Sequence, residues 1–343
     1  MRHFYRLTLL SAFLAIECAS GFAAQPKKVL VLNESPEQLR ELQSASPKVH
    51  VIGVTKDTVT KELPDADAFV GEITSEQVRD GKNLKWVQII SAGVERALYP
   101  PDGGDDLRKS NIILTNNKIV QGPEIADHAM AMLLYLTRDL STFAENKRQQ
   151  NWRPSQVRLI ELNGRTAVII GVGGIGTQIA IRATAFGMNV IGVDPEDKPF
   201  VPFVKRFVKP DQLDEVLPEA DVVFISTPLT PLSRKMMGAR QFELLKPKAY
   251  FIAVSRGGIY DMNALVRGLD SQRLAGAGVD VTDPEPLPAD HPLWKFPNVI
   301  ITPHIAGRSD KDAARMFNTV KENIARFGDG RPLINVVDKQ KGY

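Results

Sequence analysis

One cysteine, Cys18, is all that the 343 residues carry. A single thiol forms no intramolecular disulfide, and no Cys/His cluster has zinc spacing, so neither a disulfide scaffold nor a zinc-knit domain is available. Histidine is scarce too. His3, His50, His128, His291 and His304 include no two within reach of one helical turn, which argues against a His-based metal site. Charge of one sign is missing as well: 43 basic residues against 40 acidic ones leave +3. That balance gives no electrostatic footprint for nucleic acid or an acidic polymer. No low-complexity tract and no repeat of 20–50 residues is present. What remains is 43% hydrophobic and 24% charged, the make-up of a folded globular chain. Its length exceeds one ordinary domain and favours two.

Residues 1–24 follow the order of a secretory signal. Arg2 and Arg6 come first, residues 7–19 are mostly apolar, and Ser20, Gly21, Ala23 and Ala24 precede Gln25-Pro26. The apolar stretch is too short to span a bilayer, so no membrane span is expected in the mature chain. Cys18 would leave with this segment, and a cysteine-free chain suits an oxidising compartment. The expected location is periplasmic or secreted. Glu17 within the apolar stretch and an approximate cleavage pattern at Gly21 and Ala23 keep a cytoplasmic or organellar location as the alternative.

Strands alternate with helices along the rest. Short apolar runs at 28–32, 49–54, 68–70 and 86–90 predict strands, with a helix at 36–43, so a first unit runs from residue 25 to about 121. Residues 123–151 predict one long helix, with Ile125, Ala129, Met132, Leu133, Leu136 and Leu140 at helical spacing. A second alternating unit follows, with strands at 167–170, 190–193, 222–226, 250–254, 276–281 and 299–301. Its helices are expected at 174–186 and 261–269. Residues 313–327 predict a closing helix that returns to the first unit. Alternation of this kind implies parallel sheets and an α/β fold.

Val168-Ile169-Ile170 runs straight into Gly171-Val172-Gly173-Gly174-Ile175-Gly176, and a helix follows. Strand, G-x-G-x-x-G and helix stand in the order of a dinucleotide site. Gly171 serves the tight turn, Gly173 the close approach of a pyrophosphate, and Gly176 the packing of helix on strand. The helix start that includes Gly174 and Ile175 offers unpaired N–H groups to phosphate. The next strand ends at Asp194, 18 residues past Gly176, close to the ~20 expected of an acid that holds the ribose hydroxyls. A carboxylate there repels a 2′-phosphate and favours NAD over NADP, although Lys198 lies near.

Arg256, Glu285 and His304 fall at the ends of three strands of the second unit, where open α/β sheets bind ligands. Gly171–Gly176 with Asp194, Ser255-Arg256-Gly257-Gly258, Asp280-Val281 with Glu285-Pro286-Leu287, and Thr302-Pro303-His304-Ile305-Ala306-Gly307 together resemble the D-isomer-specific 2-hydroxyacid dehydrogenases. The resemblance covers nearly all of the chain after residue 24. It implies a Rossmann-type NAD-binding domain, residues 122–307, inserted into a flavodoxin-like substrate domain formed by residues 25–121 and 308–343. It also implies an Arg–Glu–His catalytic set and a homodimer built on the linking helix.

Such a set suits 2-keto acid reduction. A histidine that titrates near neutrality can give and retrieve the proton on oxygen, which points to His304. Glu285 would hold its other ring nitrogen, and the planar fork of Arg256 would pair with the substrate carboxylate. By the same resemblance, the backbone of Ala92, Gly93 and Val94 would bind that carboxylate together with Arg256 and His304. Ser255, Thr227, Pro228, Asp280 and Gly307 would border the cofactor, Asp280 toward the nicotinamide carboxamide. The loop around Glu95, Arg96 and Tyr99 is expected to set specificity. His50, His128 and His291 read as structural. Ala253 stands where many members carry asparagine, and Asp127 where the linking helix usually has glutamate. No regulatory C-terminal domain like that of some phosphoglycerate dehydrogenases is expected. The expected partners are a small 2-keto or 2-hydroxy acid of the glyoxylate or hydroxypyruvate kind, and no nucleic acid. A dinucleotide-sensing protein of the same fold, resembling the C-terminal-binding corepressors, keeps the same three residues and is the rival reading.

Overall fold

The computed structural model describes residues 25–154, 159–199 and 201–343. The expected export segment, Cys18 included, lies outside them. Five parallel strands form the first sheet: β1 (Lys27–Leu32), β2 (Val49–Val54), β3 (Ala68–Val70), β4 (Trp86–Gln88) and β5 (Ile113–Thr115). Their spatial order is β2-β1-β3-β4-β5, the flavodoxin-like arrangement. Seven parallel strands form the second: β6 (Thr166–Ile170), β7 (Asn189–Val193), β8 (Arg206–Val208), β9 (Val222–Ile225), β10 (Ala249–Ala253), β11 (Leu274–Val279) and β12 (Val299–Ile301). They lie in the order β12-β11-β10-β9-β6-β7-β8, which is the Rossmann order extended by one strand.

Both sheets are covered on both faces, which is why their strands read as unbroken apolar runs rather than alternating ones. Val29 and Val31 of β1 face Val320, Ile324 and Phe327 of the closing helix Asp312–Asp329. Leu30, between them, faces Val59, Leu63 and Leu98 on the other side. In the second sheet, Ala167 and Ile169 meet Ala126, Ala129 and Leu133 of the helix Gly122–Thr137, while Val168 and Ile170 face the opposite layer. The linking helix therefore packs on the second sheet, and the closing helix returns to the first. A buried contact secures that return: Asn323 Nδ2 donates to Gln88 Oε1 at 2.9 Å.

The single helix expected over 123–151 is two, Gly122–Thr137 and Leu140–Arg148. Asp139 separates them with φ 53°, in the left-handed region. Short acids enter that region more readily than most residues, and the Asp139 carboxylate there accepts the Thr142 hydroxyl at 2.9 Å. The apolar spacing continues through Leu136 and Leu140, so periodicity alone carried no sign of the break. The strand expected at 86–90 stops at Gln88. Beyond it the chain opens into the loop that faces the second lobe.

Candidate active site

The loops at the carboxyl ends of both sheets face each other across a cleft of about 480 Å³. Its second-lobe floor is the glycine turn. Gly171 has φ +91°, and a Cβ there would lie 2.5 Å from the Thr227 backbone. A Cβ on Gly176 would lie 2.0 Å from the Gly171 carbonyl oxygen, so only glycine lets the helix Gly174–Ala185 start so close to the strand. Gly173 differs: among the described residues, nothing stands within 4 Å of its Cβ position. The helix begins there with no side-chain cap, which leaves its first N–H groups for a ligand. This open cradle fits a dinucleotide pyrophosphate.

Asp194 directly follows β7 and is buried. Its Oδ2 accepts the Val172 N–H at 2.8 Å and its Oδ1 the Glu196 N–H at 2.9 Å. Lys198 Nζ stands 3.2 Å from Oδ1. Thr227 and Pro228 follow β9 and line the same cleft with Ile175. Ser226 secures them by donating from Oγ to Gly171 O at 2.7 Å.

Arg256 follows β10, and His304 follows β12; both line the cleft. His304 takes φ +55°, fixed by its N–H bond to Asp280 O at 2.8 Å. Its Nδ1 lies 2.8 Å from Glu285 Oε2. Glu285 is steadied in turn by the Thr282 N–H, 3.0 Å from Oε1. An imidazole held by a carboxylate at Nδ1 has its tautomer fixed and presents Nε2 for proton exchange. Asp280, buried behind this loop, accepts Thr302 Oγ1 at 2.6 Å and the N–H groups of Ile305 and Ala306 at 2.9 and 3.0 Å. It thus shapes the loop that carries His304, in addition to lining the cleft. His128 reaches the same network, with Nε2 2.9 Å from Thr302 Oγ1. The Ser255 hydroxyl is buried at the cleft wall with no hydrogen-bond partner among the described residues. Gly307 also lines the cleft, its carbonyl bound by Gln121 Nε2 at 2.9 Å.

The first lobe contributes Ala92 and Gly93. Ala92 O accepts Asn116 Nδ2 at 2.6 Å, and Gly93 O accepts Ser91 Oγ at 2.7 Å. Their carbonyls are thereby turned into the lobe, and Val94 is buried at the start of the helix Glu95–Leu98. Three features carried no sequence signal. Arg256 Nε donates to Glu95 Oε1 of the opposite lobe at 2.6 Å. Tyr343 lines the cleft and donates its hydroxyl to Glu196 Oε1 at 2.8 Å, beside Lys341 Nζ at 2.7 Å. Ile119, in the crossing between lobes, has φ +77° and sits on Gly174: a Cβ on that glycine would lie 2.7 Å from Ile119 Cα. All three depend on residues far apart in sequence.

A glycine turn on a doubly wound sheet, facing a second α/β lobe across one cleft, defines a two-lobed dinucleotide-binding protein. Residues 130–306 match the family model for the D-isomer specific 2-hydroxyacid dehydrogenase, NAD binding domain. A glyoxylate reductase of Korarchaeum cryptofilum is 32% identical over 83% of this chain and 87% of its own length. A D-3-phosphoglycerate dehydrogenase of Methanocaldococcus jannaschii is 30% identical over 91% of this chain, which spans 59% of that longer protein. The crystal structure of an NADPH-dependent glyoxylate/hydroxypyruvate reductase from Sinorhizobium meliloti, in complex with NADP and sulfate, superposes with a TM-score of 0.77. It is 28% identical, over 92% of this chain and all of its own. The chain belongs to the D-isomer-specific 2-hydroxyacid dehydrogenase family.

Proposed function

We propose that the protein is a nicotinamide-dinucleotide-dependent oxidoreductase that interconverts a small 2-keto acid and its D-2-hydroxy acid. The observation that carries this reading is the 2.8 Å contact between His304 Nδ1 and Glu285 Oε2, on a cleft that Arg256 and the glycine turn share. The open cradle at Gly173, the uncapped helix start and the unpartnered Ser255 hydroxyl fit the cofactor. When bound, the nicotinamide supplies the hydride for ketone reduction.

This chain's residues supply the rest. Arg256 pairs with the substrate carboxylate, as a planar fork of donors does best, and the N–H groups of the 92–94 loop add to that anchor. His304 gives a proton from Nε2 to the ketone oxygen and takes it back in the reverse direction. Glu285 keeps the Nδ1 proton in place and stabilises the imidazole while it is charged. Closure of the lobes excludes water around the reacting atoms. In this reading, residues 25–121 and 308–343 form the substrate domain and residues 122–307 the cofactor domain.

Glyoxylate or hydroxypyruvate is the substrate type that the similar reductases support. NAD(H) is the proposed cofactor, because the Asp194 carboxylate repels a 2′-phosphate. The NADP in the Sinorhizobium meliloti relative and Lys198 beside Asp194 make NADPH the comparison to run. A homodimer and an exported mature chain complete the proposal. Among the described residues, no helix is long and apolar enough to cross a membrane. The test is a panel of 2-keto acids with NADH and with NADPH, followed at the nicotinamide absorbance. Cofactor binding without turnover of any keto acid would reject the enzyme in favour of a dinucleotide-sensing protein.

A further inference from the structure

Arg256 does not stand free in the cleft. Its Nε donates to Glu95 Oε1 at 2.6 Å, and the pair joins the two lobes. Their side chains keep only 26% and 21% of their exposure. A Cβ on Gly93 would lie 2.0 Å from Arg256 Nη2 and 2.4 Å from Glu95 Oε2, so both charged groups press on the 92–94 loop at one point. Arg256 Nη1 is turned the other way, onto Ser255 O at 2.8 Å. The Glu95 carboxylate thus occupies the space where the donors for an incoming carboxylate converge.

A guanidinium already matched by a carboxylate is a weaker anion site than a free one. An incoming anion must displace Glu95 or share Arg256 with it, and like charges a few ångströms apart repel. Glu72, just after β3, lies in the same field. Burial raises its carboxyl above the ordinary value; Arg96 opposes that rise and the charge of Glu95 adds to it.

We propose that Glu95 is the resident counter-ion of Arg256, displaced when substrate binds, and that it sets the affinity and selectivity of the carboxylate site. The proposal rests on Arg256 being the substrate anchor. A 2-keto acid offers a carboxylate and an adjoining carbonyl oxygen, enough acceptors to replace what Glu95 gives up. A simple anion such as acetate offers only the carboxylate and competes poorly. Glu95 therefore selects for the 2-keto acid pattern rather than for negative charge alone.

The test uses oxamate, which has the shape of a small 2-keto acid and no reducible ketone, titrated calorimetrically into the NADH-loaded protein. Glu95→Gln keeps the size and an acceptor for Arg256 but removes the charge. Oxamate should bind that variant about tenfold more tightly, equivalent to ~1.4 kcal/mol, and acetate should gain at least as much. NADH affinity should not move, and Glu95→Asp should stay within about threefold of the parent. A gain in affinity cannot come from a damaged fold. Unchanged or weaker oxamate binding in Glu95→Gln overturns the proposal, as does oxamate binding to neither protein. The titration needs no turnover. Tightening without keto acid reduction keeps this proposal and rejects the activity; reduction without tightening does the reverse.

Discussion

Asp194 Oδ2 accepts the N–H of Val172, the second residue of the glycine turn, at 2.8 Å. The acid proposed to hold the ribose is thus also a strut of the turn proposed to hold the phosphates. Asp194→Asn should act on both. We expect NADH to bind at least about tenfold more weakly, ~1.4 kcal/mol. NADPH should lose less, because the charge that opposes its 2′-phosphate is gone. Calorimetric titration of both cofactors checks this; equal losses for the two would contradict it.

Two glycines of one motif should fail in different ways. Gly173→Ala meets no atom of the described residues within 4 Å, so its melting temperature should match the parent while NADH affinity falls at least about tenfold through steric conflict with the phosphates. Gly176→Ala would place a methyl 2.0 Å from Gly171 O and should destabilise the protein by about 1–3 kcal/mol as an overpacked contact. Thermal melts beside cofactor titrations separate the two outcomes.

His304→Ala should lower turnover by ~10²–10⁴-fold with cofactor affinity preserved, if the imidazole moves the proton. Glu285→Gln keeps a hydrogen-bonding group near Nδ1 but removes the charge, and should cost at least about tenfold in kcat. Steady-state kinetics with the best keto acid of the panel measure both. Near-parental turnover in His304→Ala would reject its role.

Asp221 gives a pH-dependent stability effect distant from the cleft. Burial alone would raise its pKa, but the Thr166 N–H, Lys246 and Arg165 together outweigh burial and hold it below the usual carboxylate range. Its stabilisation is therefore complete above the unfolded-state value of ~3.9 and is lost as pH falls through the lower, folded-state value. Asp221→Asn should cost about 1–3 kcal/mol at neutral pH, and its melting-temperature gap to the parent should shrink on acidification below about pH 4. A gap that stays constant from neutral pH to pH 3 would contradict the argument.

Most of the framework was legible because parallel strands buried on both faces leave short apolar runs, as at Val29–Leu30–Val31 and Val168–Ile169–Ile170. The glycine turn was legible because its spacing answers to backbone geometry. β5 and β8 were not: Ile113 of β5 is 44% exposed, and Arg206 begins β8 at the sheet edge. The break at Asp139 escaped because one left-handed residue does not interrupt an apolar stripe. The Glu95–Arg256 pair and the Tyr343–Glu196 contact escaped for a different reason. Their partners are 161 and 147 positions apart, and no local pattern announces which surface charges will meet when two lobes close.

Ile119 gives the crossing between lobes a particular property. A β-branched side chain at φ +77° is costly, and this one leans on Gly174, the first residue of the helix proposed to hold the phosphates. A Cβ on Gly174 would lie 2.7 Å from Ile119 Cα, so the connection between the lobes and the start of that helix are close-packed, and a side chain larger than hydrogen at residue 174 would press on both.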